Sequence, residues 1–157
     1  TTEPTRHGGE ELELLRQPLP HPGPWEIPAA TIAIGDEQNV TYDSAPPWND
    51  GDNCAPWLRP GTVVFKDALM GYFPQIHSIG GYNCREIRGL PGVMSMHGTG
   101  RAIDIYITEI DGQADNDIGD PIGNWLIENA QALGLQYEIW DLYTWMAARD
   151  EGNKGKD

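Results

Sequence analysis

Histidine is scarce in this chain of 157 residues: the four are His7, His21, His77 and His97, and none follows residue 97. Cysteine is limited to Cys54 and Cys84, at a spacing that fits neither a CxxC redox pair nor a zinc-finger pattern. The reading preferred over two buried free thiols is a disulfide in an exported protein, which stabilises the fold by about 3 kcal/mol. Basic residues are also few, 10 Lys and Arg against 24 Asp and Glu, for a net charge of −14. Such a chain repels a phosphate backbone and has no polybasic surface for anionic lipid, which excludes nucleic acid and electrostatic membrane docking. No apolar run approaches the roughly 20 residues of a membrane span.

What the chain has in quantity is glycine, 19 residues, and proline, 13, the composition of a loop-rich fold. Its length suits one domain with a real core. Residues 1–58 read as a proline-rich irregular arm. Within it, Glu10–Arg16 has the pattern of a short amphipathic helix ended by Pro18. Ala29–Ile34 and Val40–Tyr42 are strand candidates, and Trp48 and Trp57 are expected to cover the core.

Residues 59–157 read as the compact part. Val63 to Phe73 recur at helical spacing until Pro74. Ile76–Tyr82 is a strand closed by Gly80 and Gly81, and Ala102–Ile107 is a second one, with Ile103, Ile105 and Ile107 on one face and Asp104 on the other. Asp120 caps a helix with Pro121 at its first position, Gly134 ends it, and Leu135–Trp140 is the last strand. Strands and helices mixed without regular alternation make the fold class α+β.

The chemistry concentrates in Ser95-Met96-His97-Gly98-Thr99-Gly100-Arg101-Ala102-Ile103-Asp104. Gly98 and Gly100 allow a tight turn that brings the imidazole back toward the strand face carrying the carboxylate. One ring nitrogen and one carboxylate oxygen make a zinc half-site, or simply a hydrogen-bonded pair. His77 reads as an ordinary strand histidine, and the acidic run Asp111–Asp117 with Asp120 as a solvated loop rather than a calcium site.

The string SxHxxGxAxD, from Ser95 to Asp104, resembles the signature of zinc D-Ala-D-Ala carboxypeptidases and murein endopeptidases. The likeness extends from Phe73 through Gly80-Gly81-Tyr82-Asn83-Cys84-Arg85, which is also similar to extensin-like domains, to Asn124–Ala130 and Leu133–Trp140. It covers about residues 59–145. The resemblance implies a hedgehog/DD-peptidase fold, a small antiparallel sheet with flanking helices. It implies zinc as cofactor, held by His97 and Asp104, with Arg85 contacting the substrate carboxylate or developing oxyanion and Ser95 beside the metal loop. It further implies a peptidoglycan peptide as partner and a secreted, periplasmic or cell-surface location.

The family closes its site with an acidic base three residues before a final histidine, and here the chain departs from it. One alignment puts Asp141 in the place of that histidine as third ligand, with Glu138 as catalytic base. The other, preferred, treats both as ordinary strand residues and expects the missing motif from a downstream segment or a second chain. Two functions follow: a zinc peptidase acting on stem peptides, or a non-catalytic wall-binding or structural module on the same scaffold.

Overall fold

The computed structural model describes residues 23–149; the expected helix at Glu10–Arg16, His7, His21 and the charged segment 151–157 lie outside them. Helix α1 (Ala29–Asp36) and strand β1 (Asn39–Val40) come first, followed by helix α2 (Pro60–Tyr72) and strand β2 (Ile76–Gly80). Strands β3 (Glu86–Ile87) and β4 (Leu90–Met94) lead into a 3₁₀ turn at Met96–Thr99, then β5 (Asp104–Ile107). A small hairpin, β6 (Glu109–Ile110) with β7 (Gln113–Ala114), precedes helix α3 (Asn116–Glu128) and the short α4 (Ala130–Leu133). Strands β8 (Tyr137–Trp140), β9 (Tyr143–Met146) and β10 (Ala148–Arg149) complete the order. The class is α+β, built from small two-stranded pairs: β2 with β5, β3 with β4, β6 with β7 and β8 with β9 are antiparallel, and β1 runs parallel to β10.

The core forms where α2 and α3 meet the inner face of the β2–β5 pair. Leu69, Ile76, Ile122 and Leu126 are buried together, with Phe65, Ile105 and Ile107 packed against them. Register explains the faces. Ile76 lies opposite Ile107 and Ile79 opposite Ile105, so the isoleucines of both strands cover the core, while Asp104, opposite Gly80, is on the open side.

Two segments differ from what the sequence led us to expect. Ala29–Ile34 is helical, not extended, because tertiary contacts outweigh the strand preference of its β-branched residues. Thr31 donates a 2.7 Å hydrogen bond to the Glu128 carboxylate, and Gly35 lets α1 approach α3 so closely that a Cβ there would stand 2.6 Å from Ile127. Helix α3 begins earlier than expected, capped by the Asp115 carboxylate on the Asp117 amide, so Pro121 falls inside it. Within residues 23–58, α1 packs on α3 and Trp25 is buried against it. Trp25 is only 3% exposed, and its indole donates to the Asn124 side chain. Trp57, in contrast, is largely exposed and leans on Tyr82.

Cys54 and Cys84 form the expected disulfide, spanning 30 residues of chain, a pairing that fits an oxidising, extracellular compartment. No helix among the described residues is long and apolar enough to cross a membrane. Breaking this disulfide by Cys84→Ser, or by reductant, is expected to lower unfolding free energy by about 3–4 kcal/mol through the freed loop. Urea unfolding followed by tryptophan fluorescence measures this; an unchanged midpoint would mean that packing alone holds the two segments together.

Candidate functional site

The site is built on the 3₁₀ turn that carries His97. Ser95 caps it, its hydroxyl accepting from the His97 amide at 3.3 Å, while the Ser95 amide donates to the Arg85 carbonyl at 3.0 Å. Gly100 ends the turn in the left-handed region, at φ 72°, and is pressed so close to the preceding segment that a Cβ would stand 2.3 Å from the Trp57 carbonyl. Three amides hold the loop from outside, Ala55 on the Gly98 carbonyl, Asn83 on the His97 carbonyl and Arg59 on the Gly100 carbonyl, and the Arg85 carbonyl accepts from Ser95 as above. Ala55 and Asn83 flank the two disulfide cysteines, so the cross-link and the histidine loop are one rigid unit.

The imidazole itself is oriented by Gly81. Its Nδ1 lies 2.5 Å from the Gly81 carbonyl oxygen. A carbonyl only accepts, so Nδ1 carries the proton and the lone pair of the neutral ring is on Nε2. Gly81 cannot be another residue here: its φ is 144°, and a Cβ would fall 2.5 Å from the Ala102 carbonyl oxygen. Nε2 then points at the Asp104 carboxylate, 3.7 Å away, with His97 mostly buried and Asp104 half exposed. That separation is too long for a hydrogen bond.

Both groups line a cleft of about 810 Å³ between β5 and β8, floored by Ile122, Gly123 and Leu126 of α3. Glu138 of β8 also lines it, yet from the floor side: its Oε1 lies against Gly123, next to the Trp25 ring, and its Oε2 is enclosed with no hydrogen-bond partner. Burial pushes the Glu138 carboxyl up from 4.5 to about 8, so it is largely protonated at neutral pH. It faces α3, whereas Asp104 faces the open side.

The remaining candidates are placed elsewhere. Asp141 forms the β8–β9 turn, at φ 29°, and its carboxylate accepts from the Asn116 amide at 3.0 Å while its carbonyl accepts from the Trp25 amide. It does not line the cleft; its job is to tie the turn to the start of α3. Arg85 is exposed and donates to the adjacent Glu86 carbonyl, outside the cleft lining. The cations that do line the cleft are Arg59, whose Nε donates to the Thr99 carbonyl at 3.2 Å, and Arg101, paired with Asp43 at 3.1 Å. Arg59 sits where the sequence shows only a helix start, and nothing in its neighbours signals the site. His77, on β2, bonds Thr108 just past the end of β5, and Asp115 and Asp120 are engaged as a cap and as an acceptor for the Trp140 indole. Among the described residues, no three of His, Cys, Asp and Glu gather as a metal site, so His97 and Asp104 stand as a pair.

A histidine–carboxylate pair lining a cleft between the β2–β5 strand pair and the β8–β9 hairpin defines the site, and comparison with known proteins then places the chain. It belongs to the VldE C-terminal domain family, whose model, "VldE, C-terminal domain", matches residues 54–156. No curated protein and no solved structure matches it.

Because Glu138 gains its proton more readily folded than unfolded, its contribution is fully present below about pH 4.5 and is lost as pH rises through about 8. Urea unfolding across that window should show wild-type stability falling relative to Glu138→Gln, whose amide stays neutral. Parallel curves would place the Glu138 carboxyl in water instead.

Proposed function

We propose that this chain is a zinc-peptidase-type domain of the hedgehog/DD-peptidase fold, exported, that acts on or binds peptidoglycan stem peptides. The observation that supports it most is the pair itself: His97 presents Nε2, oriented by Gly81, toward the Asp104 oxygen at 3.7 Å. Two ligands on one tetrahedral zinc, with bonds of about 2.0–2.2 Å, lie roughly 3.4 Å apart, so the two atoms need to move only a few tenths of an ångström. A carbonyl bonded to the far nitrogen of a ligand histidine is also the usual means of fixing its tautomer. Bound there, zinc would supply Lewis acidity toward a scissile carbonyl and an activated water.

The chain's own residues divide the other tasks. The Ser95-capped turn and Gly81 hold the imidazole, and the cleft between β5 and β8 receives the peptide. Arg59 offers a guanidinium beside the Thr99 carbonyl, a better-placed partner for a substrate carboxylate than Arg85. The geometry favours a third ligand from a downstream segment or a second chain over Asp141, which is held by Asn116.

The second reading is a non-catalytic wall-binding module, favoured by the one fact that only two ligands gather among the described residues. Elemental mass spectrometry of undialysed protein, with His97→Ala as control, separates them when combined with hydrolysis of a stem peptide ending in D-Ala-D-Ala. About one zinc per chain, lost in the variant, together with cleavage, supports the peptidase. Retention on peptidoglycan sacculi without zinc or cleavage supports the module, and absence of all three overturns both.

A further inference from the structure

We propose that Tyr82 is a positioning residue for His97, its hydroxyl setting the angle of the peptides that grip the imidazole and its turn. The inference deepens the reading of His97 as the ligand residue of the site and takes its functional meaning from that reading.

Three consecutive residues act on the same turn. The Gly81 carbonyl accepts from Nδ1 of His97, and the Asn83 amide donates to the His97 carbonyl at 3.3 Å. Tyr82, between them, reaches across to the opposite segment, where its hydroxyl donates to the Ala55 carbonyl at 2.6 Å. Ala55 precedes Pro56, so the peptide joining them has no N–H and can be held only through that oxygen. The Ala55 amide, on the other side of the same Cα, donates to the Gly98 carbonyl at 2.8 Å. Ala55 is therefore fixed at both of its peptide planes, one by the histidine turn and one by Tyr82.

The disulfide alone does not supply this. Cys54 and Cys84 join the two segments at one point, and a single link still permits rotation about itself. Tyr82 and Ala55 join them a second time, and two links fix an angle. The angle matters because the Gly81 oxygen belongs to the peptide that runs into Tyr82. Anchoring the Tyr82 side chain anchors that peptide, and with it the acceptor for Nδ1. A hydrogen bond weakens steeply as its angle falls from above 150° to about 120°, so roughly 30° of peptide rotation is enough to release the ring.

The ring and the hydroxyl of Tyr82 have separate tasks. The ring packs on Trp57 at 5.3 Å between centroids, but Trp57 is 61% exposed and confines it from one side. The hydroxyl bond sets its reach. Further along the same segment, the Arg59 amide holds the Gly100 carbonyl and the Arg59 Nε holds the Thr99 carbonyl. Residues 55–59 thus clasp the turn at Gly98, Thr99 and Gly100, and Tyr82 ties the near end of that clasp to the strand that carries Gly81.

The test compares Tyr82→Phe with Tyr42→Phe in zinc-free protein. Each variant loses a hydroxyl bonded to backbone carbonyls, Tyr82 at Ala55 and Tyr42 at Gln136 and Ala147, outside the turn. Phenylalanine at 82 keeps the ring on Trp57. Ring carbon shifts of the neutral imidazole, assigned with His97→Gln, give the tautomer ratio of His97. Tyr82→Phe is expected to lower the ratio of the Nδ1–H form to the Nε2–H form about tenfold, as loss of one orienting hydrogen bond implies. Tyr42→Phe is expected to leave it unchanged. An unchanged ratio in Tyr82→Phe overturns the proposal, and so does an equal fall in both variants, which would mean general loosening. Zinc titration of the wild-type protein tests separately whether His97 is a ligand, so failure of that reading and failure of the Tyr82 proposal are told apart.

Discussion

The clamp around the His97 turn is the constraint on which the candidate site depends. The amides of Ala55 and Asn83 bind the Gly98 and His97 carbonyls, and the residues next to them, Cys54 and Cys84, are covalently joined. The loop is therefore gripped from two directions by segments that cannot separate. Gly100 adds a backbone contact too close for any side chain, and Gly81 does the same on the strand side while offering its carbonyl to the imidazole. A histidine meant only to fill space needs none of this. One that must present a particular nitrogen at a fixed distance from a carboxylate needs all of it.

The opposite wall is held by a helix instead. The β8–β9 hairpin rests on α3 through Glu138 against Gly123, and its turn is tied to that helix by Asp141 and Asn116. Among the described residues β8 pairs only with β9, and the hairpin's outer face leaves Ile139 and Met146 in solvent. The cleft thus has one wall that carries the polar pair, held by the disulfide-linked segments, and one held by α3 that carries exposed apolar surface. A buried, protonated carboxyl without a partner, at the seam, is the kind of local cost that binding sites retain.

Much of this was legible in the residues. The isoleucine alternation around Asp104, the proline that stops α2, and the glycines of the histidine turn each act through local geometry, and local geometry is what a sequence states directly. The long-range consequences were not. Ala29–Ile34 has strand-like residues and becomes a helix because Thr31 and Gly35 fit α3. Strand β9 was missed because its turn uses Asp141 and Leu142 at positive φ, where asparagine and glycine are the usual signal. Trp25 hides in a proline-rich stretch and is buried all the same. Arg85 and Asp141 stood in the right order along the chain, but Arg85 points outward and Asp141 is held by Asn116; order along a chain does not fix direction in space. Gly81 was visible as a glycine, and only the fold shows that its carbonyl orients the imidazole.

Gly81 accepts from Nδ1 of His97 and so leaves Nε2 facing Asp104, the arrangement that the proposed zinc site requires. Nitrogen-15 NMR of the His97 ring, recorded while zinc is titrated, tests it most directly. The expected result is a proton on Nδ1 before zinc is added, and a zinc-dependent shift confined to Nε2 that disappears in Asp104→Ala. A proton on Nε2 in the metal-free protein, or a ring spectrum indifferent to zinc, would contradict it.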